Sequence, residues 1–92
     1  SDQYMQCAKV LQYPHFTETL CKDLAERFQG EKIDVVIGPA MGGIIVAYEM
    51  ARQLKAKAIF AERVNENLEL RRGFCIMPED NVLIVEERGS IL

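Results

Sequence analysis

The chain has 92 residues, enough for one small domain that can hide only about two thirds of its unfolded surface. Hydrophobic residues make up 49% and charged residues 27% of it, globular proportions that argue against a disordered segment. Eleven basic against 14 acidic side chains leave a formal net charge of -3, which argues against a general nucleic-acid surface and confines any phosphate binding to local groups.

Asp2 is placed to cap a short helix running to Leu11, and Pro14 interrupts it where proline suits the first turn of a second helix. Phe16, Leu20, Leu24 and Phe28 recur at every fourth position before Gly30, which predicts an amphipathic helix over residues 15–29 that stops at the glycine. Residues 33–37 are apolar and β-branched except for Asp34, the pattern of a central parallel strand covered on both faces. Behind a glycine-rich loop, Ile44, Ala47, Tyr48, Ala51 and Leu54 keep helical spacing over residues 44–54, and Lys55 and Lys57 suit the negative end of that crossover helix.

Residues 58–61 give a second strand, 65–67 a polar turn, and 68–76 a weaker extended pair, hence a hairpin around Gly73. A turn at 78–81 leads into a third buried strand over 82–85, which ends in Glu86 and Glu87. Helix, helix, β, α, β, hairpin, β is a doubly wound α/β order with right-handed crossovers, in a single domain over residues 1–92. Ligands of such sheets gather at the carboxyl ends of the strands. Three groups lie there: the loop at 38–43, Glu62 with Arg63, and Glu86 with Glu87.

The loop Gly38-Pro39-Ala40-Met41-Gly42-Gly43 joins a strand to a helix, and its glycines let backbone approach a ligand while helix N-terminal N–H groups face it. That geometry binds anions, chiefly phosphates. The loop has neither the Lys-Ser/Thr of a P-loop nor the GxGxxG of dinucleotide sites, and an ordinary tight βα turn fits the spacing equally well. Glu86 and Glu87 end a buried strand, so at least one carboxylate can face the crevice, able to accept from sugar hydroxyls or to hold a metal ion; two solvated acids are the plainer reading. Arg63, Arg71 and Arg72 flank a flexible segment and suit a diphosphate clamp, although surface arginines are common.

His15 sits near a helix start and reads as a surface residue, and Tyr4, Tyr13 and Tyr48 read as packing residues. Cys7, Cys21 and Cys75 are odd in number and lack metal-ligand spacing, and nothing before them resembles a signal peptide, which predicts reduced thiols in a cytoplasmic protein. The longest apolar run, residues 42–48, is far shorter than the roughly 20 residues of a membrane span. A soluble protein is expected.

In their order and spacing, Ser1-Asp2-Gln3-Tyr4, Gln6-Cys7-Ala8, Leu11-Gln12-Tyr13-Pro14, residues 33–43, Tyr48-Glu49-Met50-Ala51-Arg52-Gln53-Leu54, residues 58–63, 70–74 and 82–86 together resemble the orotate phosphoribosyltransferases of the type I phosphoribosyltransferase superfamily. The resemblance implies a parallel-sheet type I core with two N-terminal helices, truncated relative to the family. It implies transfer of phosphoribose from phosphoribosyl pyrophosphate to orotate, giving orotidine monophosphate and pyrophosphate with magnesium, in a homodimer. As catalytic side chains it implies Arg63, beside the departing group, and Glu87. As substrate-binding residues it implies Ala40, Met41, Gly42 and Gly43 on the pyrophosphate, Glu86 with Glu87 on the ribose hydroxyls, Arg71 and Arg72 on the mobile loop at 64–72, and Gly89 and Ser90 on the ribose phosphate. No protein ligand is assigned to the metal.

Three departures from the family pattern stand out. Glu87 runs directly into Arg88-Gly89-Ser90-Ile91-Leu92, where the family has a longer Thr-Thr-Gly-like loop; Asn67 stands where it has a lysine; and its first segment and later strands fall outside these residues. They leave open a non-catalytic module of the same fold that binds phosphoribosyl pyrophosphate or a nucleotide, or an inactive fragment.

Overall fold

The structure, a computed structural model, describes residues 12–85, so the helix expected between Asp2 and Leu11 and everything from Glu86 onward lie outside the described residues. Within them run α1 (Pro14–Glu26), β1 (Val35–Pro39), α2 (Gly42–Leu54), β2 (Lys57–Val64), β3 (Asn67–Leu70) and β4 (Val82–Ile84). The strands form one sheet in the order β3-β2-β1-β4. β1 is central as expected and parallel to both β2 and β4, whereas β3 is an antiparallel edge strand. The α/β core is therefore mixed, and among the described residues no helix joins β3 to β4.

The paired neighbours Val35 and Val36 of β1 are both fully buried, which is why this strand reads as apolar without alternation. Val36 belongs to one core cluster with Cys21 and Leu24 of α1, Val46, Ala47, Met50 and Ala51 of α2, and Leu83 and Val85 at β4. Both described helices thus share one core with one face of the sheet. Asp34, the one polar residue in the apolar run, brackets the amino ends of three strands. Its N–H donates to the Asn81 carbonyl at 2.9 Å, its carboxylate accepts from the Asn81 N–H at 2.9 Å, and its carbonyl accepts from the Lys57 N–H at 3.0 Å.

Several expected faces and boundaries shift. In α1 the buried residues are Thr17, Cys21 and Leu24, while Phe16 and Leu20 are exposed. A strict four-residue repeat drifts about 40° per step around a helix of 3.6 residues per turn, so Phe16 through Phe28 cannot share one face. Proline occupies the first turn as expected, and Gly30 has φ +92, the conformation of a stop. In α2 the inward stripe is Gly43, Val46, Ala47, Met50 and Ala51, and Tyr48 is 68% exposed. Tyr13 is likewise exposed, so the packing role expected of these two tyrosines is not met; Tyr4 lies outside the described residues.

The hairpin also moves. Val64 pairs with Asn67, and Asn65 and Glu66 between them have φ of 50 and 74, the two-residue turn with both central residues left-handed that matches strand twist. β2 is lengthened by this pairing beyond the expected 58–61. Around Gly73 there is no hairpin: Arg72 and Gly73 have φ of 59 and 81, and the Phe74 N–H donates to the Arg71 carbonyl at 3.1 Å, closing a turn instead. The turn expected near Pro78 is present, with the Met77 N–H donating to Asp80 Oδ2 at 2.9 Å.

No helix of the described residues is long and apolar enough to cross a membrane. Cys21 is buried and Cys75 exposed, both as free thiols. Burial pushes the Cys21 thiol from 9.0 up to about 11, with the Glu49 carboxylate adding to the shift.

Two outcomes follow from the core. Met50→Ala lowers unfolding free energy in urea by about 2–5 kcal/mol, while Tyr48→Ala stays within about 0.5 kcal/mol, reversing the weights that helical spacing alone assigns. Because folding holds the proton on Cys21, the contribution of this thiol to stability is complete below pH 9 and declines as pH rises toward about 11. A Cys21→Ala variant followed by urea titration across that range shows a flatter decline.

Candidate functional site

Gly38 closes β1 against the start of α2. A Cβ built on Gly38 would fall 2.8 Å from the Gly43 carbonyl carbon and 2.9 Å from the Ala47 Cβ, and one on Gly43 would fall 2.5 Å from Pro39 Cδ. These two glycines serve backbone-to-backbone contact across the loop. The Ala40–Met41 peptide bond is cis, and Met41 is the N-cap residue of α2.

The N–H of Ala40 donates to the Ala61 carbonyl at 2.7 Å. It is therefore engaged within the protein, and Ala40 anchors the loop to β2 rather than offering a donor. The start of α2 is different: Met41 makes no side-chain cap and the first turn carries no acidic residue. The leading N–H groups of a helix lack intrahelical acceptors and carry its positive dipole end. Met41, Gly42 and Gly43 therefore present donors at the carboxyl edge of the sheet, beside an 82% exposed Met41 side chain.

Glu62 follows Ala61 directly and pairs with Arg72, whose Nε donates to Oε1 at 2.5 Å. Arg72 holds the Glu62 carboxyl below the usual carboxylate range by that hydrogen bond, and the charges of Arg72 and Arg71 act in the same sense. The Arg72 guanidinium lies 5.9 Å from the Phe60 ring centroid, and Phe60 meets Phe74 edge-on at 5.0 Å. Arg63 is exposed, and its Nη1 donates to the Glu66 carbonyl at 3.4 Å. Val85, the last described residue, donates its N–H to the Ile37 carbonyl at 2.9 Å, beside Gly38.

Of the residues singled out by sequence, the structure thus gathers Ala40 to Gly43 and Arg72 around the carboxyl ends of β1 and β2. Arg63 and Arg71 lie on the same hairpin and its following turn, while Glu86, Glu87, Gly89 and Ser90 lie outside the described residues. Sequence reasoning missed the Glu62–Arg72 pair, because a spacing of ten residues matches no helical or strand period; only the hairpin and turn bring the two together. Among the described residues no group of three His, Cys, Asp or Glu side chains is placed to hold a metal.

Comparison with known proteins supplies the context. No family model matches the chain. The chain is 60% identical over 87 residues to the orotate phosphoribosyltransferase of Thermoanaerobacter sp. (strain X514), and 59% and 56% identical over the same length to those of Pelotomaculum thermopropionicum and Caldanaerobacter subterraneus subsp. tengcongensis. The chain is a relative of the orotate phosphoribosyltransferases. The matches take in 95% of this chain and 46% of each of those proteins, so it spans about half the length of the curated relatives. Among solved structures, adenine phosphoribosyl transferase from Trypanosoma brucei, in complex with AMP, pyrophosphate and ribose-5-phosphate, matches with a TM-score of 0.67 at 11% identity. That match covers 84% of this chain and 41% of the other, and it shows a shared fold.

For an orotate phosphoribosyltransferase relative, the close approach of Gly38 to Gly43 is the feature most exposed to substitution. Gly38→Ala forces the loop apart and lowers unfolding free energy by about 1–3 kcal/mol. Gly73→Ala loosens only the left-handed turn, for about 1 kcal/mol. Urea titration of both variants measures the difference.

Proposed function

We propose that this chain provides the diphosphate-handling portion of an orotate phosphoribosyltransferase, acting in transfer of phosphoribose from phosphoribosyl pyrophosphate to orotate to give orotidine monophosphate and pyrophosphate. The observation that carries this reading is the uncapped, acid-free start of α2 at the carboxyl edge, in a chain 60% identical over 87 residues to a protein of that name.

As the bond from ribose to pyrophosphate breaks, negative charge grows on the leaving group and positive charge on the ribose ring. Backbone donors at Met41, Gly42 and Gly43 face the first charge. Arg71 and Arg63 add to it, since neither carries an ion pair among the described residues, while Arg72 is already compensated by Glu62. Glu87, with Glu86, would favour the second charge and hold the ribose hydroxyls, and Gly89 and Ser90 would meet the ribose phosphate.

The same reading brings magnesium bound with phosphoribosyl pyrophosphate, a homodimer and a cytoplasmic setting. Among the described residues no group of three His, Cys, Asp or Glu side chains is placed to hold the ion. Because the chain spans 46% of its relatives, a module that binds phosphoribosyl pyrophosphate or a nucleotide without turnover is the second reading.

Phosphoribosyl pyrophosphate with magnesium, at a hundredfold excess over its dissociation constant, stabilises the 92-residue chain by about 2.7 kcal/mol, or roughly 10–20 °C in thermal melts. Gly42→Asp, which sets a carboxylate against the diphosphate, removes the shift. Orotate loss followed by ultraviolet absorbance then decides between the readings. Turnover supports transfer, a melting shift without turnover supports the binding module, and the absence of both overturns the assignment.

A further inference from the structure

We propose that Glu62 is a positioning residue: with the Phe60–Phe74 ring pair it clamps Arg72, and the clamp presents the neighbouring Arg71 to a diphosphate at the start of α2. The inference rests on the phosphoribosyl-transfer reading and deepens it by naming what orients the turn after β3.

Residues 71–81 contain no strand or helix, yet their first turn is held by side chains. Arg72 meets Glu62 through two nitrogens, Nε to Oε1 at 2.5 Å and Nη2 to Oε2 at 3.5 Å, a forked contact that fixes the plane of the guanidinium. Arg72 also lies over Phe60, 5.9 Å from the ring centroid, and Phe74 meets the same ring edge-on at 71°. Phe60 and Glu62 alternate to the same side of β2, so one strand grips two residues of the turn, Arg72 and Phe74.

The grip is tied to the glycine loop. Glu62 is the residue after Ala61, whose carbonyl takes the Ala40 N–H at 2.7 Å, so clamp and loop share a rigid strand. Glu62 compensates Arg72, which leaves the charge of the cluster with Arg71, exposed and without a hydrogen-bonded side-chain partner among the described residues. An ion pair with side-chain exposures of 64% and 24% adds little to stability. What it does set is orientation, and the residue placed by that orientation is Arg71.

Calorimetric titration of the 92-residue chain with inorganic diphosphate tests this. Arg71→Gln is compared in the wild-type background and in Glu62→Gln/Arg72→Gln, which removes one charge of each sign and leaves the local sum unchanged. Arg71→Gln weakens binding on the order of tenfold when the clamp is intact and by less than about twofold when it is absent. Phe74→Leu, which breaks the ring pair without touching a charge, serves as a second background with the same expectation. Equal losses in all backgrounds overturn the clamp and leave the diphosphate site standing. If the wild-type chain does not bind diphosphate, both the clamp and the reading beneath it fall.

Discussion

A Cβ on Gly38 would lie 2.8 Å from the carbonyl carbon of Gly43, and one on Gly43 would lie 2.5 Å from Pro39 Cδ. The chain can therefore leave β1 and return as α2 with only Ala40 and Met41 between them. That closeness puts the start of α2 directly at the end of the central strand and lets Ala47 pack against Gly38 one turn later. The anchoring of Ala40 to Ala61 then ties β2 to the same corner. The donors of the helix start, the Glu62–Arg72 pair and the end of β4 take their positions from this one backbone crossing.

At the opposite edge of the sheet a polar residue does comparable work. Asp34 engages Asn81 and Lys57 through its N–H, carbonyl and carboxylate together, so β1, β2 and β4 are gathered at their amino ends by one side chain and its own backbone. At the carboxyl edge, by contrast, the N-cap residue Met41 makes no side-chain cap to the first turn of α2.

Much of this frame was legible in the sequence, for identifiable reasons. A β-branched run between a helix stop and a glycine loop specifies a central strand, because both of its faces must be apolar, and Val35 and Val36 are fully buried accordingly. The faces of the helices were less legible. Phe16, Leu20 and Tyr48 are large and apolar at plausible spacing, but the buried stripe runs through the smaller Thr17, Cys21, Ala47 and Ala51, because two helices packed on one sheet face need small side chains where they meet. The polar turn expected at 65–67 is where the chain reverses, but the hairpin expectation falls on Gly73 because a glycine is the stronger turn signal, whereas Asn65 and Glu66 take up the left-handed conformations that pair β2 with β3. In the candidate site the glycine loop could be found by its residue types. That Ala40 spends its N–H on β2, and Arg72 its charge on Glu62, depends on contacts made only in the folded chain.

On the phosphoribosyl-transfer reading, those local pairings bear on how a chain of net charge -3 meets an anion. Net charge governs long-range attraction, whereas binding at contact depends on the charges left uncompensated nearby. Glu49, the one acidic residue of α2, is engaged by Arg52 and held below the usual carboxylate range by it, and Glu18 shares the same guanidinium. Glu62 is taken up by Arg72. Among the described residues Glu18, Glu49 and Glu62 are thus paired, while Arg71 carries no ion pair. On the phosphoribosyl-transfer reading, these pairings offset the charges of Glu18, Glu49 and Glu62, while the start of α2 faces the leaving diphosphate.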